Sequence, residues 1–342
     1  MTLSWGIKVL KERAENVHKI LLRKRIINTS LKTLRDDKYV YFPVMAPIHV
    51  PGAELVRMEF PRRHTLNPKH KIKEELLKRV PKDVLEVIPD YWEVIGDAIV
   101  IKLPKDVYEY KRSIGEAFAV ALNKKSVYLD MGVRGEFRRP NFELIYGEGG
   151  PTVHKENGVL YKLDPAKVMF SSGNIDERIR MANLNINNEV IVDMFAGIGY
   201  FSLQIAVHGN PNVVYAVEKN YDAYLFLLEN IRLNSVDNIV IPIFGDNRTV
   251  SPEGVADRVI MGYLYDTHKF LKRAIEILKP EGGVIHYHDL VHNYGGIAEA
   301  QERALRTLER YGYAMELMFS RYVKSYSPNV WHVVLDMRVF PQ

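Results

Sequence analysis

The chain has 342 residues, 47% of them hydrophobic and 26% charged, a composition that supports two or three globular domains with full cores. With no cysteine, disulfides, thiolate metal sites and thiol catalysis are excluded; no apolar run reaches the roughly 18 residues of a membrane span and no signal-peptide pattern opens the chain, so a cytoplasmic protein is expected. The net charge of +5 is unevenly spread: residues 1–80 hold 18 Lys+Arg against 8 Asp+Glu, and residues 81–342 hold 29 against 34, the layout of a basic module for a polyanion beside a near-neutral body.

In chain order, Ile7, Val9, Leu10, Ala14, Val17, Ile20 and Leu21 recur every three or four positions, which predicts a helix near the start. A basic run follows, then a short strand at Tyr39–Val44, and Pro43, Pro47 and Pro51 close a small basic domain at about residue 50. Residues 51–73, with Arg62, Arg63, His64, Lys69, His70, Lys71 and Lys73, read as a basic linker. Residues 74–170 read as an α+β domain. Its helices are expected at 73–80, 82–88 and 108–122 and its strands at 92–101, 126–129, 142–146, 151–156 and 159–164, the last two joined at Asn157-Gly158.

The remainder, 171–342, alternates. Strands at 189–194, 213–218, 239–244, 257–261 and 283–287 are separated by helices at 176–183, 199–208, 221–234 and 267–278. A helix at 296–311 and an antiparallel pair, 315–322 and 331–339, close it. This pattern predicts an α/β Rossmann-type fold with a mainly parallel sheet covered on both faces.

Ligands of such sheets gather at the carboxyl ends of the strands. There the chain has Asp193, then Gly197 and Gly199, which let backbone approach a ligand. Glu218 follows 21 residues after Gly197, near the roughly 20-residue offset at which a carboxylate meets a ribose diol. A carboxylate at Asp193 would repel a pyrophosphate, which seeks N–H donors, and Ser202 stands where a dinucleotide site has its third glycine. Both features favour S-adenosylmethionine, a nucleoside without phosphate whose tail is cationic. Asp246-Asn247 after the third strand can read an adenine edge, and Gly262-Tyr263 after the fourth faces the same crevice. The histidines at 154, 268, 286, 288, 292 and 332 show no ligand spacing, so no metal site is expected; His286 and His288 are read as facing apart on their strand.

Several segments carry a family resemblance: Val192–Gly199, Glu218, Gly245-Asp246-Asn247, Ala256–Tyr263, Lys162–Ser171 with Asn174 and Glu177-Arg178, His286-Tyr287-His288 and Tyr326–Asp336. Over nearly its whole length the chain resembles the archaeal wybutosine-pathway tRNA(Phe) 3-amino-3-carboxypropyltransferases and the closely related tRNA (guanine-37-N1) methyltransferases. Residues 1–50 resemble the small RNA-binding domain of the methyltransferase branch. The resemblance implies a class I methyltransferase-like fold with N-terminal α+β RNA-binding domains.

Two departures favour the aminocarboxypropyl branch: Met261-Gly262-Tyr263 replaces the Asn-Leu-Pro or Asn-Pro-Pro turn of the methyltransferases, and the glycine motif ends Gly199-Tyr200-Phe201-Ser202. The implied reaction moves the 3-amino-3-carboxypropyl group of S-adenosylmethionine onto a tricyclic wyosine-type base in the anticodon region of tRNA(Phe), with a monomeric enzyme. Ser171, Arg178, Glu218, Asp246 and Asn247 would contact the donor, Arg178 pairing with its carboxylate, and Gly262 and Tyr263 would meet the base. No general base is identified. The rival readings are guanine N1-methylation, methylation of a small molecule, and a tRNA-binding protein with a degenerate site.

Overall fold

The computed structural model describes residues 1–24, 26–62, 67–135 and 139–342. It divides into two compact units, Met1–Lys71 and Ile72–Gln342.

The first unit is a four-stranded sheet. Strand Thr2–Leu10 lies between Tyr39–Val44 and Glu54–Phe60, with the short Leu34–Arg35 at one edge. Helix Ala14–Arg23 buries Val17 and Leu21 with Ile7, Val9, Val40, Phe42 and Val44. The helix expected from the first residues therefore begins only at Ala14. Ile7 and Val9 are core residues of a strand, two apart, and strand spacing running into helix spacing imitated one continuous helical stripe. Nor is 51–73 a linker. Glu54–Phe60 pairs with residues 2–8, and Pro68–Leu77 is a helix. The cations Arg63 and His64 lie outside the described residues.

The second unit begins with a four-stranded sheet ordered Trp92–Ile95, Ala98–Ile101, Ser126–Arg134, Arg139–Tyr146. The single strand expected at 92–101 is a hairpin, because Gly96 adopts φ +58° and turns the chain. Helix Lys111–Leu122 packs Ile114, Ala117 and Phe118 against Ile99, Ile101 and Leu129.

The hairpin Thr152–Glu156/Val159–Leu163 was expected in this α+β part, but it packs on the following sheet. Asn230 accepts from the Lys162 amide at 2.6 Å and donates to its carbonyl at 3.1 Å, and Asn234 does the same for Leu160 at 2.9 and 2.7 Å. Two amide side chains thus continue the hairpin's hydrogen bonding onto a helix, while the Gly96 and Asp97 amides bind His154 and Thr152 on its other strand.

The main sheet has strands β1 (Val190–Asp193), β2 (Val213–Glu218), β3 (Val240–Phe244), β4 (Arg258–Met261), β5 (Gly283–His292), β6 (Tyr313–Ser327) and β7 (Val330–Pro341), in the order β3-β2-β1-β4-β5-β7-β6. The first five are parallel; β7 runs antiparallel to β5 and β6 to β7. Between them lie α1 (Ile175–Ala182), α2 (Ser202–His208), α3 (Tyr221–Leu233), α4 (Asn247–Val250), α5 (Leu271–Ile277) and α6 (Gly296–Glu309), α1 preceding β1. Ile191, Val192, Val214, Ala216, Val259 and Ile260 are wholly buried, as befits strands covered on both faces. β5 runs five residues past its expected end because it pairs with β7 along its whole length. No helix among the described residues is long and apolar enough to cross a membrane.

Candidate active site

The carboxyl ends of β1–β4 open into a cavity of about 280 Å³. Gly197, Glu218, Asp246, Asn247, Gly262 and Tyr263 all line it. The order reversal at β1 makes this crevice, with β2 leaving to one side and β4 to the other.

The glycine turn is built from backbone that other residues resist. Gly197 and Gly199 have φ of +60° and +100°, and a Cβ on Gly197 would lie 2.4 Å from the Tyr200 ring. The Gly197 amide donates to Glu218 Oε2 at 2.7 Å, and the Asn220 amide donates to Oε1 at 2.5 Å. Glu218 therefore ties the tip of β2 to the turn after β1, and burial pushes its carboxyl up from the usual range.

Asp193 and Gly199 support this turn from below the cavity wall, which is formed at Met194, Phe195 and Gly197. Asp193 is wholly buried, accepts from the Phe195 amide at 3.2 Å and takes the Ser202 hydroxyl at 2.7 Å. Burial raises its carboxyl to about 6. Ser202 is thus more than an absent glycine, since its hydroxyl is the partner that lets a carboxylate sit under the turn.

At the β3 end, Asp246 caps α4 by accepting from the Arg248 amide at 3.1 Å. The Arg248 guanidinium grips both its oxygens, at 2.9 and 2.6 Å, and holds its carboxyl far below the usual range. Asn247 donates to the Met194 carbonyl at 3.0 Å, while its Oδ1 is buried without a partner. An orphaned acceptor on a cavity wall fits an exocyclic amino group such as that of adenine. Asp246, whose carboxylate keeps lone pairs beyond those that Arg248 takes, lines the same cavity. Tyr263 stacks on Phe195, centroids 4.9 Å apart, and both meet the edge of Phe270.

Ser171 and Arg178 lie outside this cavity. Arg178 is only 2% exposed; its Nε and Nη2 bind Glu156 at 2.5 and 2.8 Å, and Nη2 also donates to the Ser171 carbonyl at 3.0 Å. One edge of its fork, Nε and Nη2, is therefore occupied by a carboxylate of the protein. The Ser171 hydroxyl pairs with Lys324 at 2.6 Å. Ser171 borders a second cavity of about 350 Å³, lined also by Tyr91, Lys102, Asp130 and Phe142, and Met169 forms a wall of both cavities.

Sequence reasoning missed Lys219, Asn220, Arg248 and Phe270 in the first cavity. The signal for the first three was their position just beyond strand ends; Phe270 reaches the wall only through tertiary packing. His286 and His288 share a face, as residues two apart on a strand must, rather than facing apart. His286 pairs with Asp336 at 2.6 Å and His288 with His332 at 2.8 Å. Burial holds His288 down to about 3 and His332 to about 2, so both are neutral. Among the described residues no three side chains are grouped to hold a metal.

Comparison with known proteins matches three family models: the tRNA methyltransferase 5 N-terminal domain at residues 6–51, the TYW2 N-terminal domain at 72–150 and the TRM5/TYW2 methyltransferase domain at 152–318. A tRNA(Phe) (4-demethylwyosine(37)-C(7)) aminocarboxypropyltransferase of Pyrococcus horikoshii is 43% identical over 272 residues, 80% of this chain and 97% of that protein. The tRNA (guanine(37)-N(1))-methyltransferase Trm5b of Pyrococcus abyssi is 33% identical over 342 residues, 99% of each. The crystal structure of P. horikoshii TYW2 in complex with MeSAdo superposes with a TM-score of 0.73 at 42% identity, covering 80% of this chain and all of that one. Matched along its length by these domains and relatives, the chain belongs to the TRM5/TYW2 family.

Proposed function

We propose that the chain transfers the 3-amino-3-carboxypropyl group of S-adenosylmethionine to C7 of the 4-demethylwyosine base at position 37 of tRNA(Phe). The observation that carries this reading is the 43% identity to the P. horikoshii aminocarboxypropyltransferase. The match of residues 72–150 to the TYW2 N-terminal domain and the Met261-Gly262-Tyr263 turn support the same branch. The enzyme acts as a monomer on the anticodon region of the tRNA in the cytoplasm.

In the transfer the base carbon bonds to the γ-carbon of the donor's methionine part, and the bond from that carbon to sulfur breaks. The electron pair leaves on sulfur in methylthioadenosine, and the base gives up the proton its carbon carried. The leaving group is already activated as a sulfonium, so the protein's task is positioning. Glu218 receives the ribose hydroxyls, Asn247 Oδ1 takes the adenine amino group, and Tyr263 faces the base. Met169, which lines both cavities, and Ser171 beyond it would hold the donor's tail. Mass spectrometry of nucleosides from hypomodified tRNA incubated with enzyme and donor should show the aminocarboxypropyl adduct, with methylthioadenosine released. Methylguanosine with adenosylhomocysteine would instead establish the methyltransferase reading, which the 33% full-length identity to Trm5b favours.

Donor affinity should also depend on Asp193. A carboxyl raised to about 6 takes up a proton below that pH, losing a negative charge held just behind the cavity wall, where a cationic donor would sense it through the Met194–Gly197 turn. Affinity is expected to fall as pH drops through about 6; calorimetry giving a flat profile there would remove Asp193 from donor electrostatics.

The first unit should add tRNA affinity without building the pocket. The P. horikoshii relative aligns over 272 residues, close to the size of the second unit. A variant lacking residues 1–67 is expected to bind S-adenosylmethionine normally. It should hold tRNA more weakly and with a shallower salt dependence, because fewer counterions are released. Equal tRNA affinity at matched salt would reduce the basic residues of this unit to solvated surface.

A further inference from the structure

Tyr263 is the inner end of a row of rings that leads away from the donor cavity. Tyr265 meets it edge-on at 6.0 Å, and Tyr326, near the end of β6, meets Tyr265 edge-on at 6.2 Å. The Tyr265 and Tyr326 hydroxyls are hydrogen-bonded to each other. The loop that carries the row is fixed. Buried Thr267 donates to the Tyr263 carbonyl at 2.9 Å, and Asp266 turns the chain with φ +50°. Yet Tyr265 is 40% exposed. A large ring held in place at the surface, continuous with a ligand pocket, has lost its conformational entropy before anything binds, which favours recognition.

We propose that Tyr265 and Tyr326 form a stacking surface for the tRNA nucleotides next to the reacting base. This rests on the reading of the chain as a tRNA-modifying transferase. A base that enters the cavity must leave the stack of its neighbours, and those neighbours then present bare faces. Aromatic side chains are the groups that replace such stacking in single-stranded RNA, with little regard to sequence. The row starts at the wall that meets the target base, so the adjacent nucleotides reach it first. Arg321 and Lys324 precede Tyr326 on β6, Arg321 beside Glu177 at 3.9 Å and Lys324 on the Ser171 hydroxyl at 2.6 Å, so the rings rather than these charges carry the proposal. The second ring face of a nucleobase needs no partner of defined shape, so the surface suits RNA better than a protein ligand.

The test uses Tyr265→Ala, Tyr326→Ala and Tyr265→Phe in the full-length protein, with an unmodified tRNA(Phe) transcript. Each alanine variant is expected to weaken tRNA binding at least about 5-fold, in keeping with the loss of one stacked base. The salt dependence should be unchanged, because no charge is removed. Affinity for S-adenosylmethionine should stay at the wild-type value, which also reports folding, and Tyr265→Phe should bind tRNA like wild type. With 5-iodouridine placed beside position 37, irradiation should give an adduct on Tyr265 or Tyr326.

Three results overturn the proposal: alanine variants that bind both ligands normally and give no adduct, alanine variants that lose donor affinity in step with tRNA affinity, or a Tyr265→Phe variant as weak as Tyr265→Ala. The second makes the row a brace for the pocket, and the third puts the energy in the hydroxyl bond. A wild-type protein that binds tRNA but never releases methylthioadenosine would instead refute the transferase reading and leave the stacking result standing.

Discussion

Glu218→Ala is expected to weaken S-adenosylmethionine binding by about 1.5–3 kcal/mol, roughly 10- to 150-fold. Glu218 has two duties that the substitution removes together. Its oxygens accept from the Gly197 and Asn220 amides, and the lone pairs that remain are the acceptors for a ribose diol. An alanine leaves the Gly197 amide without its partner and frees a turn whose two glycines, at φ of +60° and +100°, lose more conformational entropy on being fixed than other residues do. Glu218→Gln separates the duties in part: its one carbonyl oxygen can still accept from the Gly197 amide, while its NH2 meets the Asn220 amide donor to donor and the charge is gone. The glutamine variant should keep more of the turn than the alanine variant and still lose affinity, because hydrogen bonds to a charged acceptor are the stronger ones. Calorimetry on the folded variants decides the point: unchanged donor affinity in Glu218→Ala would remove Glu218 from the site.

What could be read in the sequence was local. The β1 turn declared itself through Gly197 and Gly199, because glycine admits positive φ without a side chain in the way. The alternation of strands and helices after residue 189 gave the parallel sheet for the same reason, each element carrying its own periodicity. Errors arose where partners are distant. Ser202 could be counted only as a missing glycine until its hydroxyl was found on Asp193. The packing of the hairpin at 152–163 on the main sheet was hidden because Asn230 and Asn234, which bind its backbone, lie some 70 residues on. Tyr265 and Tyr326 are 61 residues apart, and no spacing rule joins them.

Arg178 is where this limit matters most. The family resemblance implies that it holds the donor's carboxylate, and in the structure its guanidinium already holds a carboxylate of the protein. Glu156, 22 residues upstream on the hairpin, occupies one edge of the guanidinium fork with two hydrogen bonds, and both side chains are at most 5% exposed. Phe170 lies against the guanidinium at 4.8 Å. Nη2 also holds the Ser171 carbonyl. Arg178→Ala is therefore expected to cost about 3–5 kcal/mol of folding stability, because it strands the Glu156 carboxylate in the interior. Glu156→Gln added to Arg178→Ala should recover part of the loss, since the stranded charge rather than the missing pair dominates it. Denaturant titration of both variants measures this directly. Ligand binding distinguishes positioning from direct contact. If Arg178 only places Ser171, the variants should bind S-adenosylmethionine and methylthioadenosine more weakly by similar factors, because the wall at Met169 and Ser171 shifts for both. A variant as stable as wild type that binds methylthioadenosine normally and S-adenosylmethionine poorly would show that Arg178 leaves Glu156 to take the donor's carboxylate.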